Sequence, residues 1–292
     1  MVSLILQSLR PKQWPKNFFV FAGLLFTLDH PHPLSDYLRV GAAFLLFCIL
    51  SGVAYIINDC LDAELDRKHP TKRNRPIASG RLPTQTALVV AAGLIAVGIP
   101  TSFLLKTTFG IIATTYTVLM LAYSLYLKHL VLLDAMTISG GFVLRAVAGT
   151  EVLNVSISPW LLLCTVLLAL FLAFAKRRAE LASLEDNATA TRISLGYYSI
   201  PFIDQLLNIT ASVTIITYSL YTFSSETALT HRYMIATLPF VLYGIFRYIL
   251  LVQHNKGADN PETLLVTDKP LLINIALWVL TSAIAIAIRH SR

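Results

Sequence analysis

Long apolar stretches alternate with short charged stretches along the whole chain. Each apolar stretch approaches the ~20 residues that a helix needs to cross the hydrocarbon core of a bilayer. We predict nine spans, near residues 14–29, 37–57, 83–104, 108–127, 131–150, 158–175, 198–223, 233–253 and 271–288. The first is short, and we expect a tilted or partly interfacial helix there. The pattern predicts an all-α, polytopic membrane protein with about nine transmembrane helices.

The composition excludes an ordinary soluble protein. Charged residues make up 13% of the 292 residues and the mean hydropathy is +0.67, whereas soluble domains carry about 25% charged residues. We expect a single transmembrane domain over residues 1–292 without a soluble appendage. We also expect no cleaved signal peptide, because Lys12 and Lys16 flank no small-residue cleavage site.

Lys and Arg residues favour one orientation in the membrane. If the N-terminus is cytoplasmic, sixteen of them fall on the cytoplasmic side and five on the other, while Arg145 and Arg247 fall within spans. The positive-inside rule therefore predicts a cytoplasmic N-terminus and an external C-terminus, in the cell (inner) membrane. The net charge of +7 reflects this topology and indicates no nucleic-acid partner, although the basic face can also attract anionic substrates and lipids.

An acidic motif follows the second predicted span. If the helix continues, Asp59, Asp62 and Asp66 lie at positions i, i+3 and i+7 on one face. Like charges on one helical stripe repel each other, so such a cluster requires a cation. Carboxylates suit Mg²⁺, which usually takes one or two of them together with substrate phosphate oxygens. We predict a Mg²⁺ site on these three residues, to which Asn58 can add a neutral oxygen.

A basic loop follows the acidic motif directly. Lys72, Arg73 and Arg75 stand beside helix-breaking prolines, and basic side chains next to a Mg²⁺ site can clamp phosphate groups. The alternative is an ordinary positive-inside loop with solvated acids at a helix end. The stacking of the acids on one face favours the phosphate-binding interpretation.

The motif Asn58-Asp59-x-x-Asp62-x-x-x-Asp66, followed by Arg75-Pro76-Ile77, resembles the first Asp-rich motif of the UbiA superfamily of intramembrane prenyltransferases. The resemblance implies a UbiA-like helical bundle with a central cavity. It also implies Mg²⁺-assisted loss of diphosphate from a substrate, so that Asp59, Asp62 and Asp66 would be both metal ligands and catalytic residues.

Further motifs resemble one branch of the superfamily, the decaprenyl-phosphate phosphoribosyltransferases. They include Leu9-Arg10-Pro11-Lys12-Gln13-Trp14-Pro15-Lys16-Asn17, the stretch 69–80 and Lys176-Arg177-Arg178-Ala179-Glu180-Leu181. The branch implies that 5-phosphoribose moves from phosphoribosyl pyrophosphate to a polyprenyl phosphate in the membrane, releasing diphosphate. In its best-known members the product serves cell-wall biogenesis.

The loop after the sixth predicted span departs from the aromatic prenyltransferases, which carry a second Asp-rich motif there. This chain has Lys176, Arg177 and Arg178, with Glu180, Glu185 and Asp186 nearby. A basic run suits the extra phosphates of a phosphoribosyl donor and a lipid phosphate. The same run also fits a plain topology signal.

The remaining candidate substrate-binding residues lie in several predicted segments. Through the family likeness, Lys16 and Asn17 are candidates for phosphate contact. Tyr126 and Lys128 precede Asp134, for which we favour a site role over helix capping. Arg145, like Asp204 and Arg247, falls inside a span, where charges usually line a polar cavity or pair with each other.

These residues lead to a mechanistic hypothesis with two rivals. A lipid phosphate oxygen, already anionic, attacks the anomeric carbon, so no strong general base is needed. An aromatic prenyltransferase using a polyprenyl diphosphate is the first rival, and a lipid or anion transporter is the second, although charges clustered at one face argue against it. Membrane lipids are expected partners, and a homo-oligomer is compatible with the sequence.

Overall fold

The computed structural model describes residues 1–25, 27, 31–69, 71–156, 158–185, 193–224, 232–254, 264 and 267–288. Within these ranges the chain is helical and contains no β-strand. Outside the described part lie Asp186 and the side chain of Glu185, both in a predicted loop. Most of the polar stretch 254–270 also lies outside it.

Eleven α-helices are described, and we number them along the chain. They are α1 Val2–Ser8, α2 Ala22–Leu25, α3 Leu34–Leu61, α4 Ala63–Lys68, α5 Thr84–Leu105, α6 Thr107–Leu125, α7 Leu133–Leu153, α8 Pro159–Glu185, α9 Ile200–Ser224, α10 Leu238–Gln253 and α11 Lys269–Ala287. The 3₁₀-helices are Pro11–Phe21, Lys72–Asn74, Leu127–His129, Ile193–Tyr197 and Arg232–Thr237.

Eight helical segments of the described chain are long and apolar enough to cross a membrane, and they correspond to the second to ninth predicted spans. The all-α, multi-pass prediction is therefore confirmed. Helix α3 is the longest, at 28 residues, which is about 42 Å of helix against a hydrocarbon core of about 30 Å. Its excess length carries Asn58 and Asp59 at its C-terminal end.

The first predicted span takes a different form. It begins as the 3₁₀-helix Pro11–Phe21 and continues as the four-residue helix α2. Pro11 opens this segment and Pro15 lies inside it. Pro11 is tolerated at the first helical position, but the ring of Pro15 would clash with the carbonyl four residues earlier in an α-helix, which disfavours that helix here.

The chain divides into two compact units. Unit 1 comprises Met1–Gly23, His32–Thr137 and Leu144–Val155, and unit 2 comprises Leu24–Pro31, Ile138–Val143 and Ser156–Arg292. The single domain over 1–292 stays a prediction beside this division.

Within unit 1, α3 is central: it packs against α5, α6 and the 3₁₀-helix Pro11–Phe21. Close approach at one point depends on glycine, because a Cβ on Gly149 would stand 1.9 Å from the carbonyl oxygen of Val20. Within unit 2, α8 packs along α9, and α10 packs against α11.

Candidate active site

The acidic cluster, by which we mean Asp59, Asp62 and Asp66, lies where α3 ends in unit 1. Helix α3 ends at Leu61, and Asp62 has φ −94° and ψ 6° before α4 begins. Helical hydrogen bonding nevertheless continues, since the Asp62 N–H donates to the Asn58 carbonyl at 2.9 Å and the Asp66 N–H to the Asp62 carbonyl at 2.8 Å. The three acids are thus kept on neighbouring turns.

Arg75 bridges Asp59 and Asp66, and Arg10 contacts Asp59 as well. Arg75 Nη1 lies 3.0 Å from Asp59 Oδ1 and 2.6 Å from Asp66 Oδ2, and Arg10 Nη2 lies 2.5 Å from Asp59 Oδ1. The side chains of Asp59 and Asp66 are only 3% and 7% exposed. A buried carboxylate is costly unless it is paired and hydrogen-bonded, and the two arginines meet that requirement.

Asp62 has a separate set of partners. Lys128 Nζ lies 2.6 Å from Asp62 Oδ1, and the Asn58 amide donates to Asp62 Oδ2 at 3.0 Å. Lys128 is 4% exposed while Asp62 is 21% exposed. Asn58 and Asp62 are therefore neighbours, as their spacing predicts, whereas the contact of Lys128 with Asp62 was not predicted. Asp62 is the member of the acidic cluster most open to solvent.

The acidic cluster has the right chemistry for Mg²⁺, since it offers hard carboxylate oxygens and the neutral oxygen of Asn58. Among the described residues, however, no three His, Cys, Asp or Glu side chains are arranged as a ligand set. Arg10, Arg75 and Lys128 contact the carboxylate oxygens instead. The residues fit the ion provided that at least one of these cations moves away.

The basic loop folds back on itself. Arg67 Nε donates to the Ala78 carbonyl at 3.1 Å, and Arg81 Nη2 donates to the Asn74 carbonyl at 2.6 Å. Gly80 completes the turn with φ +75°, a conformation that suits glycine. Arg75 reaches the acidic cluster from this loop, whereas Lys72 is partly exposed and Arg73 is exposed in the 3₁₀-helix.

A second polar network in unit 1 surrounds Arg145. Its Nε donates to Asn17 Oδ1 at 2.7 Å, its Nη2 donates to the Tyr116 hydroxyl at 2.7 Å, and its guanidinium lies 4.7 Å from the centre of the Tyr116 ring. The Asn17 amide donates in turn to Ser51 Oγ at 3.2 Å and Cys48 Sγ at 3.3 Å. Both ends of the Asn17 amide are thus engaged inside unit 1, and Asn17 and Arg145 are buried.

Three further predicted residues occupy different environments. Asp134 is fully buried in the first turn of α7, and its Oδ1 accepts the Ala135 N–H at 2.8 Å. Lys16 is partly exposed, and Tyr126 is 64% exposed at the end of α6. Their roles in substrate binding stay predictions.

The basic run of unit 2, by which we mean Lys176, Arg177 and Arg178, lies near the C-terminal end of α8. Arg177 is 1% exposed, and its Nη1 lies 2.7 Å from Glu180 Oε2. Arg178 contacts Asp204 of α9 at 2.6 Å and donates to the Val252 carbonyl of α10 at 3.0 Å. Arg178 therefore ties three helices together, and Lys176 is partly exposed on the same helix.

The two remaining in-span charges of unit 2 are paired. Asp204 binds Arg178, as described above, and Arg247 Nη2 lies 2.9 Å from Asp268 Oδ2. Asp268 also caps α11 by accepting the Leu271 N–H at 2.9 Å. Hydrogen bonding from Arg247 holds the pKa of Asp268 below its usual range.

Arg10 is the residue that sequence reasoning missed. It stands in the N-terminal motif Leu9-Arg10-Pro11 but was not among the predicted site residues, because nothing local relates it to an acid 49 positions later. The one available signal was the motif itself, which places Arg10 at the predicted cytoplasmic side.

Comparison with known proteins decides the family. A profile of the UbiA prenyltransferase family matches residues 17–276. The chain belongs to the UbiA prenyltransferase family. The match extends from the 3₁₀-helix Pro11–Phe21 into α11, so it includes both the acidic cluster and the basic run.

The UbiA relatives include one branch at nearly full length. A decaprenyl-phosphate phosphoribosyltransferase of Mycolicibacterium smegmatis is 33% identical over 98% of this chain and 93% of its own length. One from Corynebacterium glutamicum is 34% identical over 97% of this chain and 87% of its own. The resemblance inferred from the motifs, to the family and to this branch, is confirmed.

Solved UbiA structures share the fold. A UbiA homolog from Archaeoglobus fulgidus bound to GPP and Mg²⁺ superimposes with a TM-score of 0.74, covering 98% of this chain and 100% of that one at 17% identity. Digeranylgeranylglyceryl phosphate synthase superimposes with a TM-score of 0.71 at 16% identity, covering 98% of each chain. At these identities the likeness concerns the fold.

Proposed function

We propose that this UbiA-family membrane protein is a polyprenyl-phosphate phosphoribosyltransferase. It transfers 5-phosphoribose from phosphoribosyl pyrophosphate to a polyprenyl phosphate, of the decaprenyl-phosphate class, and releases diphosphate. The observation that carries the proposal is the sequence identity of 33%, over 98% of this chain, to a relative of that name. The matched length includes the acidic cluster, the basic loop and the basic run.

The acidic cluster would bind the diphosphate group of the phosphoribosyl donor. Asp59, Asp62 and Asp66, with the oxygen of Asn58, are the residues that would hold Mg²⁺. When bound, Mg²⁺ neutralises the negative charge that develops on a departing diphosphate. Arg75 and Lys128, which contact these acids, would donate hydrogen bonds to phosphate oxygens once the carboxylates take other partners.

The proposed chemical step needs no strong base. An anionic oxygen of the lipid phosphate forms a bond to the anomeric carbon of the ribose. The bond from that carbon to the diphosphate oxygen breaks, and diphosphate leaves with the electron pair. Because the attacking oxygen already carries charge, no proton must be removed from it.

We expect the basic run to bind the phosphate groups that do not leave as diphosphate. Arg177 has a planar fork that can bind a phosphate through two parallel hydrogen bonds, and its present anionic partner is Glu180 at 2.7 Å. Lys176 adds a second positive charge on the same helix. The 5-phosphate of the donor and the lipid phosphate are the two candidates for these contacts.

The proposal includes an orientation. The acidic cluster and the basic run face the cytoplasm of the inner membrane, where a water-soluble phosphoribosyl donor is available. The count of Lys and Arg by side supports this orientation. Reporter fusions at residues 10 and 106 would test it, and we expect a cytoplasmic signal from the first and an external signal from the second.

Purified protein in detergent, radiolabelled phosphoribosyl pyrophosphate, a polyprenyl phosphate and Mg²⁺ provide the direct test of activity. We expect label in the organic phase with Mg²⁺ and none when EDTA is present. Absence of transfer with several lipid phosphates would contradict the proposal.

An aromatic prenyltransferase is the second candidate, because the fold is shared with a homolog bound to GPP and Mg²⁺. The same preparation should then be offered a polyprenyl diphosphate and an aromatic acid. Turnover with that pair and none with phosphoribosyl pyrophosphate would assign the protein to the prenyl-transferring branch.

A further inference from the structure

The N-terminal segment of unit 1 is attached to the end of α3 by apolar contacts. Leu9 is buried in a cluster with Val53 and Ile56 of α3, and Leu4 and Ile5 of α1 pack against the same cluster. Val2, at the start of α1, is 71% exposed. The contacts of Leu4, Ile5 and Leu9 thus attach the N-terminal segment to α3.

Leu9 fits against a glycine of α3. A Cβ at Gly52 would lie 2.6 Å from a methyl carbon of Leu9 and 3.2 Å from both its Cβ and its carbonyl oxygen. That carbonyl belongs to the peptide that joins Leu9 to Arg10. The absence of a side chain at Gly52 therefore sets where the backbone of Arg10 begins.

Arg10 itself has an unusual backbone conformation. Its φ is 52° and its ψ is 65°, in the left-handed region that non-glycine residues seldom adopt. The turn directs its guanidinium over the Tyr55 ring, 4.8 Å from the ring centre, and onto Asp59 Oδ1 at 2.5 Å. The strained backbone of Arg10 thus sets its guanidinium against Asp59, the most deeply buried member of the acidic cluster.

We propose that residues 1–10 form an N-terminal latch in which Arg10 positions the Asp59 carboxylate and competes with a divalent cation for it. The proposal rests on the proposed function, because it concerns the same acidic cluster. Arg10 is a positioning residue here: it holds Asp59 oriented before the metal and donor arrive, and it leaves Asp59 when they bind.

Metal binding without any substrate tests the competition. The probe is Mn²⁺ alone, titrated calorimetrically into the full-length protein in detergent. Arg10→Gln removes the competing charge, and we expect Mn²⁺ to bind roughly tenfold more tightly, as expected for loss of one charge-assisted hydrogen bond. Arg10→Lys, which keeps the charge, should stay close to the parent protein.

The effect should depend on Asp59. In an Asp59→Asn background, Arg10→Gln is expected to leave Mn²⁺ affinity unchanged. An equal gain in that background would show a general effect of charge and would overturn the competition. Unchanged or weaker Mn²⁺ binding by Arg10→Gln itself, or no binding by any variant, would overturn it too.

A glycine substitution tests the latch without altering any charge. Gly52→Ala must shift the Leu9 peptide, and we expect Mn²⁺ to bind about two- to fivefold more tightly, in the same direction as Arg10→Gln. Gly41→Ala is the matched control on the same helix, because a Cβ there meets nothing within 4 Å. Equal Mn²⁺ affinity for Gly52→Ala and Gly41→Ala would overturn the role of the Leu9 contact.

Failure of the latch and failure of the proposed function are distinguishable. The Mn²⁺ titrations involve no phosphoribosyl donor, so they report on Arg10 and Asp59 whatever the reaction is. A parent protein that transfers phosphoribose, but whose Arg10→Gln variant binds Mn²⁺ as the parent does, would retain the function and lose the latch.

Discussion

The acidic cluster of unit 1 and the basic run of unit 2 neutralise their charges in opposite ways. In unit 1 the carboxylates come from one short segment, and their cations arrive from the N-terminus, from the basic loop and from Lys128 after α6. In unit 2 two arginines are adjacent on α8, and the acids that meet them are Glu180 and Asp204.

The difference indicates which kind of ligand each region can accept. A set of fixed carboxylates can exchange its side-chain cations for a metal ion without losing its charge balance. A set of fixed guanidinium groups can exchange its side-chain carboxylates for phosphate oxygens. Each region therefore already contains a protein group that stands in for the ligand proposed for it.

We expect the largest effect when one carboxylate of the acidic cluster is removed. We expect Asp62→Ala to lower the transfer rate by roughly 10²–10³-fold or more, because a group that stabilises the departing charge is lost. Initial rates with phosphoribosyl pyrophosphate measure it, and Asp62→Asn, which is closer in size, guards against misfolding. Full activity in both variants would contradict the catalytic role proposed for Asp62.

Glu64→Ala is the matched control for that experiment. Glu64 lies two residues away in α4 and is exposed. Its loss should leave the transfer rate within about twofold of the parent, since surface charges away from a site usually matter little.

The next prediction changes the shape of a fixed cation in unit 2. Arg177→Lys keeps the positive charge but loses the planar fork, so we expect the KM for phosphoribosyl pyrophosphate to rise about tenfold with a smaller change in kcat. Arg39→Lys is the control, because Arg39 is 53% exposed at the start of α3. An unchanged KM in Arg177→Lys would remove Arg177 from the substrate site.

Arg178 should behave differently from its neighbour. Because it ties α8 to Asp204 and to the Val252 carbonyl, we expect Arg178→Ala to lower the free energy of unfolding by about 1–2 kcal/mol. The estimate is modest because the Asp204 side chain is 35% exposed. Thermal unfolding in detergent measures the loss.

A double-mutant cycle decides whether the Arg178–Asp204 contact carries that loss. Asp204→Ala combined with Arg178→Ala should destabilise less than the sum of the two single changes. Strict additivity, together with a raised donor KM in Arg178→Ala, would instead move Arg178 into the substrate site.

The smallest expected effect concerns the Arg247–Asp268 pair, which belongs to neither region. The pKa of Asp268 is lower in the folded protein than its ordinary value of 3.8, mainly through the hydrogen bond from Arg247. Its contribution to stability is therefore complete above about pH 4 and is lost as the pH falls below that. Unfolding temperatures of the parent and Asp268→Asn should converge in that acidic range, and a constant difference would contradict the prediction.

The sequence by itself determined the membrane class, eight of the nine predicted spans and the segment that carries the acids. These features depend on local patterns: apolar runs of bilayer length, and acids spaced three and four residues apart. The motifs at Leu9–Asn17, Asn58–Asp66 and Lys176–Leu181 also determined the family and its branch, because their residues are contiguous in the chain.

The tertiary structure decided which groups meet. Arg10 reaches Asp59 across 49 positions and Lys128 reaches Asp62 across 66, and no periodicity encodes such distances. Asn17 is predicted to contact phosphate, but its side-chain amide forms hydrogen bonds with Arg145, Ser51 and Cys48. The first predicted span begins as a 3₁₀-helix and continues as the short helix α2. Hydropathy depends on each residue's own side chain, whereas charge pairing depends on helix packing, so the sequence could predict the spans and the acids but not their partners.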